Sequence, residues 1–227
     1  MRKKLLITTL PQRYAPTVSS RRECALPRIA DAFVDLPFTP EQTGALRAGE
    51  RLVRRPWGKR SVGIAMACQV EAPSGMLKQV LFLVSQHRRW SEYILEGQIY
   101  EKAAFSRRVR IVQRIHGHTY RLFVHQRFLA SGLTCTWCLD GAFVSTVREL
   151  IGWWRVIPQN ASRSIFDCAL NVSMFGRKTR FREDAYVRAV LQDTLTWVKR
   201  QSESTYRNGL VTILTRAHFH RAQMGSK

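Results

Sequence analysis

The order of segments between residues 61 and 201 constrains this chain more than any other feature. A β-prone stretch, residues 61–71, is closed by Ala72-Pro73. Ser74 is then a candidate N-cap for a helix over residues 75–87, where Met76, Leu77, Val80, Leu81, Leu83 and Val84 recur at helical spacing. An aromatic-rich turn, residues 88–94, follows. Seven short β-prone runs come next: residues 99–105, 108–116, 119–129, 134–138, 142–150, 153–157 and 164–174. His116-Gly117, Ser131-Gly132, Asp140-Gly141 and Pro158-Gln159-Asn160 separate runs with turn chemistry, and Asp140-Gly141 is the strongest hairpin signal. Residues 181–201 then read as one long helix with Val187, Val190, Leu191, Thr194 and Val198 along one face. Glu183 and Asp184 in its first turn and Lys199 and Arg200 in its last complement the helix dipole. One antiparallel sheet with one long helix makes an α+β domain in which the helix covers one sheet face. The expected fold is a curved antiparallel sheet gripping the C-terminal helix, with a cavity between them.

Around this domain, residues 1–22 read as a basic leader, 23–60 as an extended connector and 202–227 as a basic tail. Pro27, Pro37, Pro40 and Pro56 break any long element in the connector. Within it, Thr39 as N-cap and Pro40 at the first helical position predict a short helix running to Arg47. No run of 18 apolar residues occurs, so the sequence predicts no transmembrane helix. Five cysteines, an odd number, argue against a secreted disulfide framework and for a reducing compartment.

Charge is the outlier. Lys and Arg number 37 against 16 Asp and Glu, a formal net charge of +21. The excess is +8 over residues 1–60, +6 over residues 61–175 and +7 over residues 176–227, so it is densest in the flanks. Such self-repulsion is relieved by a polyanionic partner, with nucleic acid the first candidate and anionic lipid the second. Four clusters would position the protein on phosphates: Arg2, Lys3 and Lys4; Arg51, Arg54, Arg55, Lys59 and Arg60; Arg107, Arg108 and Arg110; and Arg177, Lys178, Arg180 and Arg182. The leader is Arg-rich, contains Ser and Thr, and has no acid, the composition of a mitochondrial transit peptide.

Catalytic and metal chemistry is not predicted. Cys135-Thr136-Trp137-Cys138 is a lone CxxC, and a structural zinc needs four ligands. His116 and His118 could supply two more, but cysteines three apart on a strand face opposite sides. No Ser-His-Asp set, HExxH, P-loop or GxGxxG is present. The sequence therefore predicts no enzyme active site, no metal and no cofactor.

Three places resemble the START-like, helix-grip superfamily, and within it the coenzyme Q-binding, polyketide cyclase-like branch. Val70-Glu71-Ala72-Pro73, the following helix and residues 84–94 resemble that branch's first strand, first helix and aromatic motif. Residues 153–156 and 168–175 resemble its last two strands, and residues 195–200 the end of its terminal helix. Ser91 and Leu95-Glu96 stand where the branch usually carries prolines. The resemblance implies a cavity lined by Trp90, Tyr93, Trp154, Leu191 and Trp197.

Two functional expectations follow. The charge predicts an RNA-bound structural component or assembly factor of a mitochondrial ribosome, in the matrix, with ribosomal RNA and neighbouring ribosomal proteins as partners. The resemblance implies the alternative, a ubiquinone-binding lipid chaperone of the inner membrane whose basic surface faces anionic membrane lipid. A cyclase or hydrolase would need a polar pair converging inside the cavity, and the sequence identifies none.

Overall fold

A computed structural model describes residues 37–56, 62–129, 131–176 and 179–224, with side chains to residue 209. The first element is α1 (Pro40–Arg47). Thr39 Oγ1 accepts from the Gln42 amide and Gln42 Oε1 accepts from the Thr39 amide, a complete capping box with Pro40 at the first helical position. Then follow β1 (Leu52–Arg54), β2 (Ile64–Val70), α2 (Ser74–Phe82), a 3-10 turn (Val84–Gln86) and α3 (His87–Trp90). The chain continues through β3 (Ile94–Lys102), β4 (Ser106–Ile115), β5 (His118–Phe128), β6 (Thr134–Leu139), β7 (Glu149–Asn160) and β8 (Arg163–Ser173), and ends with α4 (Arg180–Met224).

All eight strands form one antiparallel sheet in the order β1-β2-β8-β7-β6-β5-β4-β3. The first long strand thus pairs with the last, while α2 and α3 carry the chain from β2 to the far edge at β3. α4 packs across the concave face against β2, β8 and α2. Its Tyr186, Val187, Leu191, Leu195, Trp197 and Val198 are buried there against Met66, Cys68, Phe166, Leu170 and Trp154. The fold is the α+β helix grip that the segment order predicts.

Several local readings change. α2 ends at Phe82, not residue 87, because Leu83 leaves helical geometry (φ −81°, ψ 58°) and a 3-10 turn follows. That turn lies directly on β3, where a Cβ on Gly97 would come 2.8 Å from the Val84 carbonyl oxygen. Ser74 is the first helical residue, with Pro73 at the cap position, and makes no capping bond. Residues 142–148 form a loop, not a strand, and Asp140-Gly141 opens that loop instead of a two-residue hairpin. The tight hairpin is His116-Gly117: both have positive φ (49° and 78°), and Ile115 pairs with His118 across them, as a type I′ turn requires. The last helix runs past residue 201 into the expected tail as far as Met224. Lys199 and Glu203 form an i,i+4 ion pair at 2.9 Å across that boundary.

The connector also joins the fold. β1 pairs with β2, and α1 lies on the convex face, burying Leu46 with Phe38, Leu52, Ile157, Ile165 and Ala67. Beneath it Asp167, fully buried, accepts from Arg54 Nη2 at 2.6 Å and from Arg155 Nε at 2.8 Å. Burial pushes the Asp167 carboxyl up, and the two guanidiniums oppose that shift by favouring the charged form. Both arginines also lie over the Phe38 ring, so the pair of cations and the connector hold each other in place.

Candidate functional site: the cavity under the long helix

Alternation along the central strands decides what faces α4. In β4 the odd positions Arg107, Ile111 and Gln113 point to the concave side, and in β5 the even positions Leu122, Val124 and Gln126 do so. Trp137 of β6, Leu150 and Trp154 of β7, and Cys168 and Leu170 of β8 complete the floor. α4 supplies the roof with Tyr186, Val190, Leu191, Thr194 and Trp197, one helical stripe. Leu81, His87 and Ile94 close one side. Together they line a partly open cavity of about 120 Å³. Gly152 makes room for its floor: a Cβ there would come 2.4 Å from the Trp137 indole.

A second pocket of about 310 Å³ lies between the β4–β5 hairpin tip and the first turns of α4, bounded by Ile115, His116, His118, Tyr120, Phe181, Arg182 and Ala185. Tyr186 lines both spaces. Its hydroxyl donates to Gln113 Oε1 at 2.7 Å and its ring lies 4.7 Å from that of Tyr120, so it stands as a partition. Burial raises its phenol above the ordinary range, and it stays neutral.

The cavity is mostly apolar with a polar corner. Arg107, only 4% exposed, donates Nε to Gln126 Oε1 at 2.5 Å, Nη1 to the Phe82 carbonyl at 3.1 Å and Nη2 to the Leu81 carbonyl at 3.3 Å. Its guanidinium sits between the Phe82 and Phe128 rings at 5.1 and 5.0 Å. Its acceptors include the last carbonyls of α2, so it caps that helix's negative end. His87 stands at the same corner, its ring 4.7 Å from Trp197. Burial and the nearby Arg107 charge depress its pKa from 6.5 to about 4, so the imidazole is neutral at physiological pH. The Trp197 indole N–H is buried and has no partner among the described residues. Burial raises the Cys135 and Cys168 thiols, which leaves them protonated and unreactive.

Of the residues expected to line a cavity, Trp154, Leu191 and Trp197 do so, whereas Trp90 and Tyr93 pack behind it against the core. The arginines expected on phosphate divide. Arg107 lies inside the cavity, where it cannot reach a macromolecular phosphate. Arg54 is held by Asp167; Arg108 pairs with Asp140 at 3.3 Å and Glu101 at 3.5 Å; Arg110 pairs with Glu96 at 2.5 Å. Arg51 donates to Thr196 at 3.4 Å, and Arg55 is 4.0 Å from Asp184. Arg180 begins α4, and Arg182 borders the outer pocket. Arg2, Lys3, Lys4, Lys59, Arg60, Arg177 and Lys178 lie outside the described residues. Cys135 pairs in register with Phe128 and Cys138 with His125, on opposite faces of the sheet. Among the described residues no group of three His, Cys, Asp or Glu side chains gathers as a metal site.

His87, Gln113, Gln126, Trp137 and Tyr186 also line the cavity and were not expected there from the sequence, whereas Thr194 lies on the helix face that was. A signal existed for some of them. Arg107 and Gln113 share a face with Val109 and Ile111, and polar groups mixed into an otherwise apolar strand face mark a functional cavity.

No protein-family model matches the chain, and no curated protein matches it. Solved structures do. The chain superposes on the STAR-related lipid transfer protein (fragment 25-204) from Xanthomonas axonopodis with a TM-score of 0.56 at 11% identity, covering 67% of this chain and 92% of that one. It superposes on the Zhui aromatase/cyclase from Streptomyces sp. R1128 with a TM-score of 0.54 at 12% identity, covering 70% and 96%. Human STARD10 gives 0.53 at 9% identity, covering 68% of each chain. The protein has a START-like helix-grip fold, and these structures cover about two thirds of its chain. At these identities the likeness is one of fold.

Proposed function

We propose that this protein is a helix-grip binding module that holds one small, ring-sized, largely apolar molecule between α4 and the sheet. The observation that carries the reading is the 120 Å³ cavity floored by Trp137, Trp154 and Leu170 and roofed by Leu191 and Trp197. A concave, mostly apolar space with a few convergent polar groups is what a small-molecule site requires. For scale, an apolar cavity of about 150 Å³ holds one benzene. An isoprenoid tail or a diacyl lipid exceeds the inner cavity. Such a ligand would need the outer 310 Å³ pocket as well, with Tyr186 turned aside. The lipid-transfer and cyclase structures that share the fold favour a ligand-holding role over a purely structural one.

The test is titration of the full-length protein with toluene and benzamide, read by tryptophan fluorescence, since three indoles border the cavity. Saturable binding that Leu191→Trp abolishes supports the reading. A flat response in the native protein sinks it.

A second reading, contact with ribosomal RNA or another polyanion in a mitochondrial particle, is favoured by the net charge of +21. It is compatible with a ligand cavity, because the two use different surfaces. Many arginines of the sheet are engaged by Glu96, Glu101, Asp140 and Asp167. RNA contact on this reading therefore falls chiefly to the flanking basic segments. Failure of the full-length protein to bind RNA at low salt, or to co-sediment with ribosomal subunits, would remove it.

A further inference from the structure

Arg107 differs from the other buried arginine of the sheet. Arg155, 7% exposed, shares the Asp167 carboxylate with Arg54. Arg107 is more deeply buried at 4%, yet no carboxylate lies within ion-pairing distance of it among the described residues. Its three protein acceptors, Gln126, Phe82 and Leu81, are all neutral. A buried guanidinium without a counter-charge is among the costliest arrangements a core can hold. The helix end and the flanking Phe82 and Phe128 rings offset part of that cost. Neither supplies a full negative charge. A guanidinium carries five N–H donors, and the protein engages three of them.

A second, independent donor faces the same need. Trp197 borders the cavity, and its indole N–H is buried with no acceptor among the described residues. His87, in ring contact with Trp197, adds no competing charge. The lining of this one cavity therefore carries a cation without a counter-charge and a donor without an acceptor, among aromatic rings.

We infer that the occupant is a small ring-bearing carboxylate, its anionic end on Arg107 and its ring among Trp137, Trp154 and Trp197. This deepens the ligand-binding reading and rests on it. A carboxylate matches the guanidinium fork and neutralises one charge with one charge. A phosphate monoester would bring nearly two negative charges to a single cation. A neutral ring would leave the guanidinium uncompensated.

The experiment is calorimetric titration of the full-length protein with benzoate, benzamide and toluene, repeated on Arg107→Gln and Arg107→Lys. Benzoate is expected to bind the native protein at least about tenfold more tightly than benzamide, the equivalent of 1.4 kcal/mol. Arg107→Gln erases that preference while toluene still binds, and Arg107→Lys retains part of it. If benzamide equals or exceeds benzoate, or if the ratio survives in a folded Arg107→Gln protein, the inference is overturned. Arg107 is then only a strut for the end of α2, and the ligand-binding reading stands. Should Arg107→Gln fail to fold, the native ratio and Arg107→Lys decide alone. If none of the three compounds binds, the ligand-binding reading falls and this inference with it.

Discussion

His87 makes the stability of the grip depend on pH in a direction fixed by its surroundings. It is half-buried beside Trp197 and near the Arg107 charge, and loss of hydration together with that charge lowers its pKa from 6.5 to about 4. In the unfolded chain the imidazole takes up a proton as pH falls through the ordinary value, whereas the folded protein refuses it until about pH 4. Within that window the unfolded state binds more protons. Stability is therefore full above the unfolded value and is lost as pH falls toward the folded one. Integrating the linkage from about pH 7.5 to about pH 5 gives a loss of about 2 kcal/mol from this residue. The assay is urea denaturation at a series of pH values, on the native protein and on His87→Gln. Asp193 and Asp167, whose carboxyls burial pushes up, contribute in the opposite sense, so the difference between the two proteins isolates His87. The native protein should lose about 2 kcal/mol more than the variant over this range. Parallel curves would refute the argument, and would mean that His87 reaches solvent.

Other consequences can be checked with equal directness. Asp167→Asn leaves Arg54 and Arg155 without their shared carboxylate and should cost about 3 to 5 kcal/mol in urea denaturation; a change below about 1 kcal/mol would mean that water already reaches the triad. Gly152→Ala drives a methyl group into the Trp137 indole; it should cost about 1 to 3 kcal/mol and weaken toluene binding as the ring turns into the cavity, and unchanged binding would contradict the assigned floor. On the polyanion reading, affinity of the full chain for single-stranded RNA should fall roughly a thousandfold between about 50 and about 200 mM salt, and a shallow slope would argue against it.

The fold was legible because its signals are local and periodic. Val187, Val190, Leu191, Thr194 and Val198 trace one face of α4, and Thr39-Pro40 announces α1. Elements fixed by distant partners were not legible. β1 is three residues long and exists because Leu52, Val53 and Arg54 pair with Ala67, Met66 and Ala65. The site was legible in part. Large aromatic residues such as Trp154 and Trp197 could be placed near a cavity because the fold expectation placed their elements there. The arginines could not be sorted from sequence. Arg107 and Arg108 are adjacent, and a strand sends neighbours to opposite faces. One became the buried cation of the cavity, and the other a half-buried partner of Asp140 and Glu101. A count of basic residues treats the two alike.

Native mass spectrometry of the protein isolated from its own cells tests the ligand-holding account most directly. The account predicts a population carrying one small molecule, released on denaturation and absent from the cavity-filled Leu191→Trp variant. A protein that repeatedly arrives at the mass of its chain alone, under conditions gentle enough to keep its fold, would contradict it.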